Sequence, residues 1–239
     1  MKITVVTHDS VFGRYFASTL AESTSIDRVI VENARASSKF YLRKLRRVGP
    51  VNFGFQWWLN RWFERQGEQT LPRSMFPSHE RVRSINDIAW EPDDLVVAFG
   101  TSYVHARTLA KTRLGILNLH TGLLPYYRGV KSEFWTLYNR DYDNVGWTLH
   151  FMTPKLDRGD MVLRDTIDWQ GENPGVVRAN LLRDAVPKIA SLLGRMRTAH
   201  DDFSLRRVEQ DRGAYYTTPT FWDWLGSRSG RRKERTLQS

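Results

Sequence analysis

The sequence predicts an α/β fold built on a doubly wound, mostly parallel sheet with late antiparallel strands. Short β-branched runs alternate with amphipathic stretches early in the chain, which is the pattern of βαβ units. DLVVAFG (94–100) is a continuous apolar run that ends in glycine, as buried parallel strands do. Two later runs, 145–153 and 161–169, flank the turn PKLDRGD and therefore predict an antiparallel pair.

The chain opens with a predicted βαβ unit. KITVVTH (2–8) reads as a strand, residues 12–20 as an amphipathic helix and DRVIVE (27–32) as the next strand. The unit should be parallel and right-handed. Residues 38–66 then predict a helical insertion that carries an aromatic cluster. We expect that cluster to pack in the core, with a dimer face or a lipid-proximal patch as the alternatives.

The second half supplies the remaining predicted elements. They are a helix at 105–111, a strand at 114–120 and a helix at 133–139. Asn173 and Pro174 then mark a helix start, as cap and first helical residue. This helix should reach about His200. Pro187 is expected to kink or restart it, because an interior proline costs roughly 3 kcal/mol.

Length and composition favour one globular domain with a small appendage. The chain has 239 residues, of which 41% are hydrophobic and 26% charged. We expect a main domain over 1–200, a helical aromatic insertion at about 34–80, and a C-terminal extension over 201–239 with a basic tail. No stretch of about 18 apolar residues occurs, and the start turns polar after Val6, so we expect a cytoplasmic protein without a membrane span. The lack of cysteine excludes disulfides and thiolate chemistry.

The charge is strongly basic. A net charge of +10, from 36 Lys and Arg against 26 Asp and Glu, predicts attraction to phosphates or other acidic ligands. Much of it lies in RKLRRVGP (43–50) and in the tail from Ser227. Such blocks are usually a solvated helix face and a disordered tail, and the alternative is contact with nucleotide phosphates or RNA.

LNLHTGLLPYYRG (117–129) is the most informative segment. Asn118 and His120 are two residues apart in a strand, so their side chains point to the same face. They lie at the carboxyl end of that strand, where ligands bind in open α/β sheets. Pro125 stiffens the loop that follows. The segment therefore predicts two polar groups that face a ligand beside a rigid wall.

Three segments together resemble the signature motifs of the folate-dependent formyltransferases. They are NLHTGLLPYYRG, GWTLH (146–150) and LDRGDM (156–161). The resemblance covers about residues 1–169 and includes the catalytic domains that act on methionyl-tRNA and on glycinamide ribonucleotide. The chain is closest in type to the short nucleotide-sugar N-formyltransferases. It departs from the family at Thr121-Gly122, where Pro-Ser is common, and at Trp147, where the family has Val.

The resemblance implies the site residues and the co-substrate. The catalytic set carries over onto Asn118, His120 and Asp157. The residues expected against N10-formyltetrahydrofolate are Thr101, Ser102, Tyr103, Val104 and Leu156. Arg128 and Gly129 are expected at the substrate, and no metal is implied. Arg128 could instead be a loop strut, and Asp157 could be only a turn residue.

Formyl transfer needs an oxyanion stabilised and protons moved. Asn118 is suited to donate to the oxyanion, and removal of such donors costs about 2.7–4 kcal/mol in other enzymes. His120 can take the amine proton near neutral pH, because the reference pKa of histidine is about 6.5. Asp157 would orient the imidazole and relay protons through water. The sequence shows neither a Gly-x-Ser-x-Gly elbow nor a His-Glu-x-x-His motif, which argues against a serine hydrolase and a metalloprotease.

The amine acceptor is left open between several classes. We favour a small-molecule amine on a nucleotide-linked sugar, in surface polysaccharide synthesis, where basic and aromatic residues would serve the diphosphate and the base. Methionyl-tRNA is the alternative that the +10 charge supports, although only about forty residues remain for a tRNA-binding barrel. Purine synthesis, formyl-folate hydrolysis and a non-catalytic binding protein of the same fold are less favoured. A homodimer is possible. The segment 213–224, GAYYTTPTFWDW, should tie the C-terminal region to the sheet or stack on a base.

Overall fold

The computed structural model describes residues 1–33, 38–91, 94–198, 208–210 and 213–228. Its strands are β1 (Lys2–His8), β2 (Arg28–Glu32), β3 (Glu80–Val82), β4 (Asp94–Phe99), β5 (Ile116–His120), β6 (Tyr127–Gly129), β7 (Gly146–Phe151), β8 (Met161–Thr166) and β9 (Ala214–Tyr216). Its helices are α1 (Val11–Ser23), α2 (Ser38–Thr70), α3 (Ala106–Leu109), α4 (Ser132–Tyr138), α5 (Pro174–Thr198) and α6 (Phe221–Arg228).

Seven strands form the main sheet, in the order β3-β2-β1-β4-β5-β7-β8. The pairs from β3 to β5 are parallel, whereas β7 runs antiparallel to β5 and β8 antiparallel to β7. The predicted doubly wound sheet with late antiparallel strands is confirmed. The β5–β7 register pairs Asn118 with His150 and His120 with Thr148. This register brings a second histidine to the predicted site.

The sheet buries both faces. Alternate residues of β4 show this: Leu95 and Val97 join a large core with α1, α2 and α5, whereas Val96 and Ala98 join a smaller core on the other face. All six residues of β4 are buried. The continuous apolar run at 94–99 therefore reflects a strand covered on both sides, as predicted.

Helix α2 is two helical segments joined at Gly49. That glycine has φ 78° and ψ 162°, a backbone conformation that residues with a side chain rarely adopt, and Pro50 follows it. In the second segment Phe55 and Phe63 are buried in the large core, whereas Trp57 is 66% exposed. Core packing of the aromatic insertion is confirmed for one face. The dimer and lipid alternatives for the exposed face stay predictions.

Helix α5 begins as predicted. Asn173 Oδ1 accepts the backbone N–H groups of Gly175 and Val176 at 3.0 and 3.2 Å. The helix continues through Pro187 to Thr198. The predicted restart at Pro187 is wrong, because α5 is buried against the sheet and α1 on both sides of the proline, and this packing outweighs one lost hydrogen bond. The predicted end near His200 lies outside the described residues.

The C-terminal region returns to the sequence motif of residues 117–129. Strand β9 pairs in parallel with β6, a two-stranded sheet that the sequence did not predict. Tyr216 stacks on Tyr127 and on Trp135, with ring centroids 5.3 and 5.2 Å apart. Residues 214–216 of the segment 213–224 are therefore tied to β6 and α4 and not to the main sheet. The boundary at 200 and most of the tail from Ser227 fall outside the described residues.

No helix within the described ranges is long and apolar enough to cross a membrane.

Candidate active site

A cavity of about 530 Å³ opens at the carboxyl ends of β4 and β5. Nine of the ten residues predicted for the site line it: Thr101, Ser102, Tyr103, Val104, Asn118, His120, Gly129, Leu156 and Asp157. Lys44 and His150, from the basic segment 43–50 and the GWTLH motif, also line it, together with three side chains that the sequence did not single out: Asn60, Lys131 and Arg178. The three sequence motifs that resemble the formyltransferases therefore all contribute residues to one cavity.

His150 is held neutral beside Asn118. Its Nδ1 lies 2.9 Å from the carbonyl oxygen of Phe151, which can only accept, so Nδ1 carries the proton. Burial lowers the pKa of His150 to about 4, although the nearby Asp157 carboxylate opposes the shift. At neutral pH Nε2 is therefore unprotonated, and its lone pair accepts a hydrogen bond from Asn118 Nδ2 at 3.1 Å.

This contact fixes the orientation of the Asn118 amide. One Nδ2 hydrogen is used on His150, and the second remains for a ligand in the cavity that Asn118 lines. His150 is thus a hydrogen-bonded neighbour of Asn118. The neutral state of His150 matters for this orientation. A protonated Nε2 would be a donor and would bond the amide oxygen of Asn118, which would turn the Nδ2 group away from its present position.

His120 has one nitrogen committed to the protein. Its Nε2 lies 2.7 Å from the carbonyl oxygen of Tyr127 and 3.2 Å from Ser132 Oγ. The carbonyl requires a proton on Nε2, so the neutral ring keeps its lone pair on Nδ1. The ring is 8% exposed and lines the cavity. Nδ1 is therefore the nitrogen of His120 that can act as a base.

Asp157 occupies a tight turn at the cavity wall. Its φ of 50° is left-handed, a conformation that Asp tolerates better than most residues. Its Oδ2 accepts the backbone N–H of Gly129 at 2.8 Å, and its Oδ1 lies 3.6 Å from His150 Nε2. Asp157 is therefore a turn residue that also lines the cavity, so the two interpretations offered for it are compatible.

Arg128 does not face the cavity, which corrects its placement among the substrate-binding residues. It is 2% exposed, and its guanidinium donates to the carbonyl oxygens of Asp157 at 3.2 Å and Gly213 at 3.4 Å. It also donates to Gln210 Oε1 at 3.0 Å. Each of the three guanidinium nitrogens therefore has an acceptor within the protein. Arg128 is thus the strut that joins the 117–129 loop to the Asp157 turn and the C-terminal region.

Gly129 is required by the close approach of β9. Its φ is 99°, and a Cβ atom there would lie 2.0 Å from the carbonyl oxygen of Tyr216. No side chain fits, so the Arg-Gly pair at the end of the motif has two structural roles. Arg128 supplies the strut, and Gly129 lets β6 and β9 pair while its N–H holds Asp157.

The departure at Thr121-Gly122 has a structural explanation. A Cβ on Gly122 would lie 2.5 Å from Ser132 Cβ and 2.7 Å from His120 Nε2. The space that a side chain at 122 would fill is therefore taken by Ser132, whose hydroxyl contacts His120 Nε2 at 3.2 Å. Thr148 closes the loop from the other side, donating to the Gly122 carbonyl at 3.0 Å.

The loop after β4 is fixed by a buried carboxylate that the sequence reasoning missed. Glu32, 1% exposed, accepts the backbone N–H of Ser102 at 2.7 Å and of Ile85 at 3.0 Å, and also the Ser102 hydroxyl. Tyr103 OH donates to the Pro154 carbonyl at 2.8 Å. Glu32 is the last residue of β2, at the carboxyl edge of the sheet. A charged residue at the end of an apolar strand was the feature of the sequence that could have pointed to it.

Sequence comparisons identify the segment that carries this site. Residues 72–173 match the family described as formyl transferase, and the matched range contains Asn118, His120 and Asp157. This segment is therefore similar to a formyl transferase domain. No group of three or more His, Asp or Glu side chains that could hold a metal ion occurs in the described part of the chain.

Curated relatives of the domain differ in their acceptors. The methionyl-tRNA formyltransferase of Ligilactobacillus salivarius is 28% identical over 120 residues, which span 47% of this chain and 37% of that protein. The GDP-perosamine N-formyltransferase of Brucella melitensis is 32% identical over 78 residues, 33% of this chain and 30% of that protein. The chain thus spans only about a third of the length of these relatives.

Solved structures share the fold over nearly the whole chain. A 4-N formyltransferase from Francisella tularensis superposes with a TM-score of 0.56 at 16% identity, covering 93% of this chain and 78% of that one. An N-formyltransferase from Helicobacter canadensis, in complex with folinic acid and dTDP-3-aminofucose, gives a TM-score of 0.58 at 13% identity, with coverages of 91% and 71%. At these identities the comparison shows that the fold is shared.

Proposed function

We propose that the protein transfers a formyl group from N10-formyltetrahydrofolate to a primary amine on a nucleotide-linked amino sugar. The observation that carries the proposal is the convergence of Asn118, His120 and Asp157 on one cavity within the formyl transferase domain. A non-catalytic protein of this fold would not need a fixed amide donor beside a free imidazole nitrogen.

The loop after β4 supports the co-substrate assignment. Thr101 Oγ1 is buried without a hydrogen-bond partner among the described residues, so it is available to a bound molecule. The hydrogen bond of Tyr103 to Pro154 joins the two segments, 101–104 and 156–157, that are proposed to hold the co-substrate. When bound there, N10-formyltetrahydrofolate supplies the formyl group. The residues present fit a planar, polar ring system held by a fixed backbone.

His120 and Asn118 have distinct proposed roles. As the amine nitrogen bonds to the formyl carbon, Asn118 donates its second Nδ2 hydrogen to the formyl oxygen, where negative charge develops. His120 Nδ1 takes the proton that the amine loses, because its Nε2 proton is held by Tyr127. The same proton leaves His120 for the folate nitrogen from which the formyl carbon departs. His120 thus ends the cycle as it began.

Asp157 keeps these groups in place and guides protons. Its Oδ2 is held by the Gly129 N–H, so the carboxylate cannot rotate away from the cavity. Its negative charge faces His150 and lies at the wall that His120 also lines. A carboxylate fixed in this position stabilises the imidazolium that forms when His120 takes a proton, and it accepts hydrogen bonds from water.

The acceptor class is supported by the relatives and by charge. GDP-perosamine N-formyltransferase and the Helicobacter canadensis enzyme act on or bind nucleotide-linked amino sugars, as their descriptions state. A net charge of +10 favours a substrate that carries phosphates. A cytoplasmic location and a homodimer belong to this proposal, the first supported by the absence of cysteine.

Release of tetrahydrofolate tests the proposal. Purified protein is incubated with N10-formyltetrahydrofolate and dTDP-, GDP- or UDP-linked amino sugars, and the absorbance of the folate product is followed. We expect acceptor-dependent turnover that His120→Ala lowers at least 100-fold, the lower range of general acid–base effects. His79→Ala, at an exposed position, is the matched control and should keep full activity. Equal turnover in His120→Ala would contradict the assignment.

Methionyl-tRNA is the second candidate, favoured by one observation. In the first segment of α2, Arg43, Arg46 and Arg47 are all exposed, and an exposed basic helix suits phosphate contacts. A gel-shift series at increasing salt separates the candidates. If tRNA is the acceptor, log affinity falls linearly with log salt concentration. If affinity is weak and shows no such slope, the tRNA assignment fails.

A further inference from the structure

Lys131 is a cavity-lining cation that forms no close ion pair within the described part of the chain. It sits directly before α4 with φ 58° and ψ 42°, a left-handed backbone that lysine rarely adopts. Its Nζ lies 3.8 Å from the centroid of the Phe63 ring. None of the ion pairs among the described residues includes Lys131. The aromatic ring thus holds the ammonium group at the cavity wall without neutralising it.

Two further cations share this wall. The Arg178 guanidinium carbon lies 4.9 Å from the centroid of the same Phe63 ring. Arg178 pairs with Glu133 through Nη2, but its Nε is buried without a hydrogen-bond partner in the described part of the chain. Lys44 reaches the cavity from the first segment of α2. Lys44, Lys131 and Arg178 therefore come from three separate places in the chain to the same cavity.

Burial in the cavity wall disfavours the protonated form of two of these cations. Burial and then the Arg178 charge lower the pKa of Lys131 to about 7, while Glu133 and Glu64 oppose the shift. Burial and the charge of Arg47 lower the pKa of Lys44. A protein rarely gathers cations in a cavity at this electrostatic cost unless an anion joins them.

We propose that Lys131, Arg178 and Lys44 form an anion subsite that binds the phosphoryl group of the acceptor. This inference rests on the proposed function for the identity of the acceptor. Two ammonium groups and a guanidinium with an unused Nε line one cavity, and such a set of donors fits a tetrahedral oxyanion that accepts several hydrogen bonds. The motif that resembles the formyltransferases ends at Gly129 and so contains neither Lys131 nor Arg178, whereas Lys44 lies in the basic segment 43–50.

A phosphoryl group and the glutamate carboxylates of the folate are both anions that could lie here. The segments proposed for the folate, 101–104 and 156–157, follow β4 and β7. The cations instead come from α2, α5 and the residue before α4. Because the two sets of residues belong to different elements, the phosphoryl group of the acceptor is the source we assign.

Calorimetry on the whole protein separates the two sources. Two probes are used. One is the nucleoside diphosphate that carries the sugar in the best acceptor, or dTDP if no acceptor is known, and the other is 5-formyltetrahydrofolate as a stable folate. Lys131→Met should weaken nucleotide binding by about 10- to 100-fold, the effect of losing one charged hydrogen-bond donor. It should leave folate binding within about twofold. Lys131→Arg should restore most of the nucleotide affinity, and exposed Lys111→Met is the matched control.

Proton uptake gives a readout that a purely structural role of Lys131 would not produce. At pH 8 Lys131 is mostly neutral in the free protein, and a bound phosphoryl group raises its pKa, so binding takes up a proton. Calorimetry in buffers of different ionisation enthalpy measures this uptake. It should vanish in Lys131→Met and also in Lys131→Arg, since arginine is protonated in both states.

Each outcome decides the proposal. Unchanged nucleotide affinity in a folded Lys131→Met variant overturns it, and a loss of folate affinity alone assigns the subsite to the folate instead. The readout is binding, so it is independent of turnover. If no amino sugar is ever formylated but nucleotide binding still depends on Lys131, the proposed function fails and the anion subsite stands.

Discussion

Protonation of His150 should limit the stability of the protein in acid. His150 is 1% exposed, and burial lowers its pKa from 6.5 to about 4 in the folded state. In the unfolded chain the ring regains a pKa near 6.5. Between these values the unfolded state binds a proton that the folded state does not bind, so stability falls as the pH falls. The contribution is fully present above about pH 6.5.

The magnitude follows from the two pKa values. The difference between 6.5 and about 4 corresponds to about 3 kcal/mol, lost progressively from pH 6.5 to pH 4. Glutamine at position 150 can fill the space and does not titrate. The free energy of unfolding of His150→Gln should therefore fall less than that of the wild type over this range, by up to about 3 kcal/mol.

Urea unfolding at half-unit steps from pH 4 to pH 7.5 checks this expectation. Carboxylates titrate in both proteins, so the difference between the two curves isolates the histidine. His79→Gln, at an exposed position, should follow the wild type throughout. If the curves of wild type and His150→Gln run parallel below pH 6.5, then His150 is not held neutral by burial, and the orientation deduced for the Asn118 amide loses its support.

Four further substitutions test the architecture of the site. Gly122→Ala should cost about 1–3 kcal/mol of stability in urea unfolding and lower kcat, because its Cβ would lie 2.5 Å from Ser132 Cβ. Adding Ser132→Gly should recover part of that loss, and strict additivity would refute the clash. Arg128→Met should cost about 2–3 kcal/mol, since it leaves buried acceptors without donors; a loss of nucleotide affinity without a loss of stability would return Arg128 to the substrate. Glu32→Gln should weaken the binding of 5-formyltetrahydrofolate by about tenfold in calorimetry, because it removes one of two acceptors that fix the loop after β4; unchanged affinity would separate that loop from the folate. Asn118→Ala should lower kcat by about 100- to 1,000-fold with little change in the KM for folate, and a change in KM alone would exclude a role at the developing oxyanion.

The central strands and the site residues on them were predictable from local pattern. Alternation along β5 places Asn118 and His120 on one face, and the structure shows both at the cavity. The continuous apolar run of β4 predicted burial on both sides, and all its residues are buried. Asp157 could be paired with them only through the resemblance, because 37 residues separate it from His120.

Contacts between residues distant in sequence were not predictable in this way. Arg128 and Gln210 are 82 positions apart, and Glu32 and Ser102 are 70 apart. No periodicity links such pairs, so the partners of Arg128 and of Glu32 became visible only in the structure. The pairing of β6 with β9 is of the same kind, since three-residue strands carry almost no pattern.

Pro187 shows the limit of local propensity. The cost of an interior proline predicted a break, but α5 is buried against the sheet on both sides of it and continues. The left-handed backbone of Lys131 is a second such case, in which neighbouring structure overrides the preference of the residue. Both residues depart from local rules where tertiary packing is dense.

Direct detection of the transferred group tests the central claim, that the cavity lined by Asn118, His120 and Asp157 carries out formyl transfer. N10-formyltetrahydrofolate labelled with ¹³C in the formyl group is mixed with a nucleotide-linked amino sugar, and the label is followed by NMR. We predict that the wild-type protein moves the label to the sugar amine and that His120→Ala does not. Transfer at equal rates in both proteins would contradict the claim, as would label that passes to water and never to an amine.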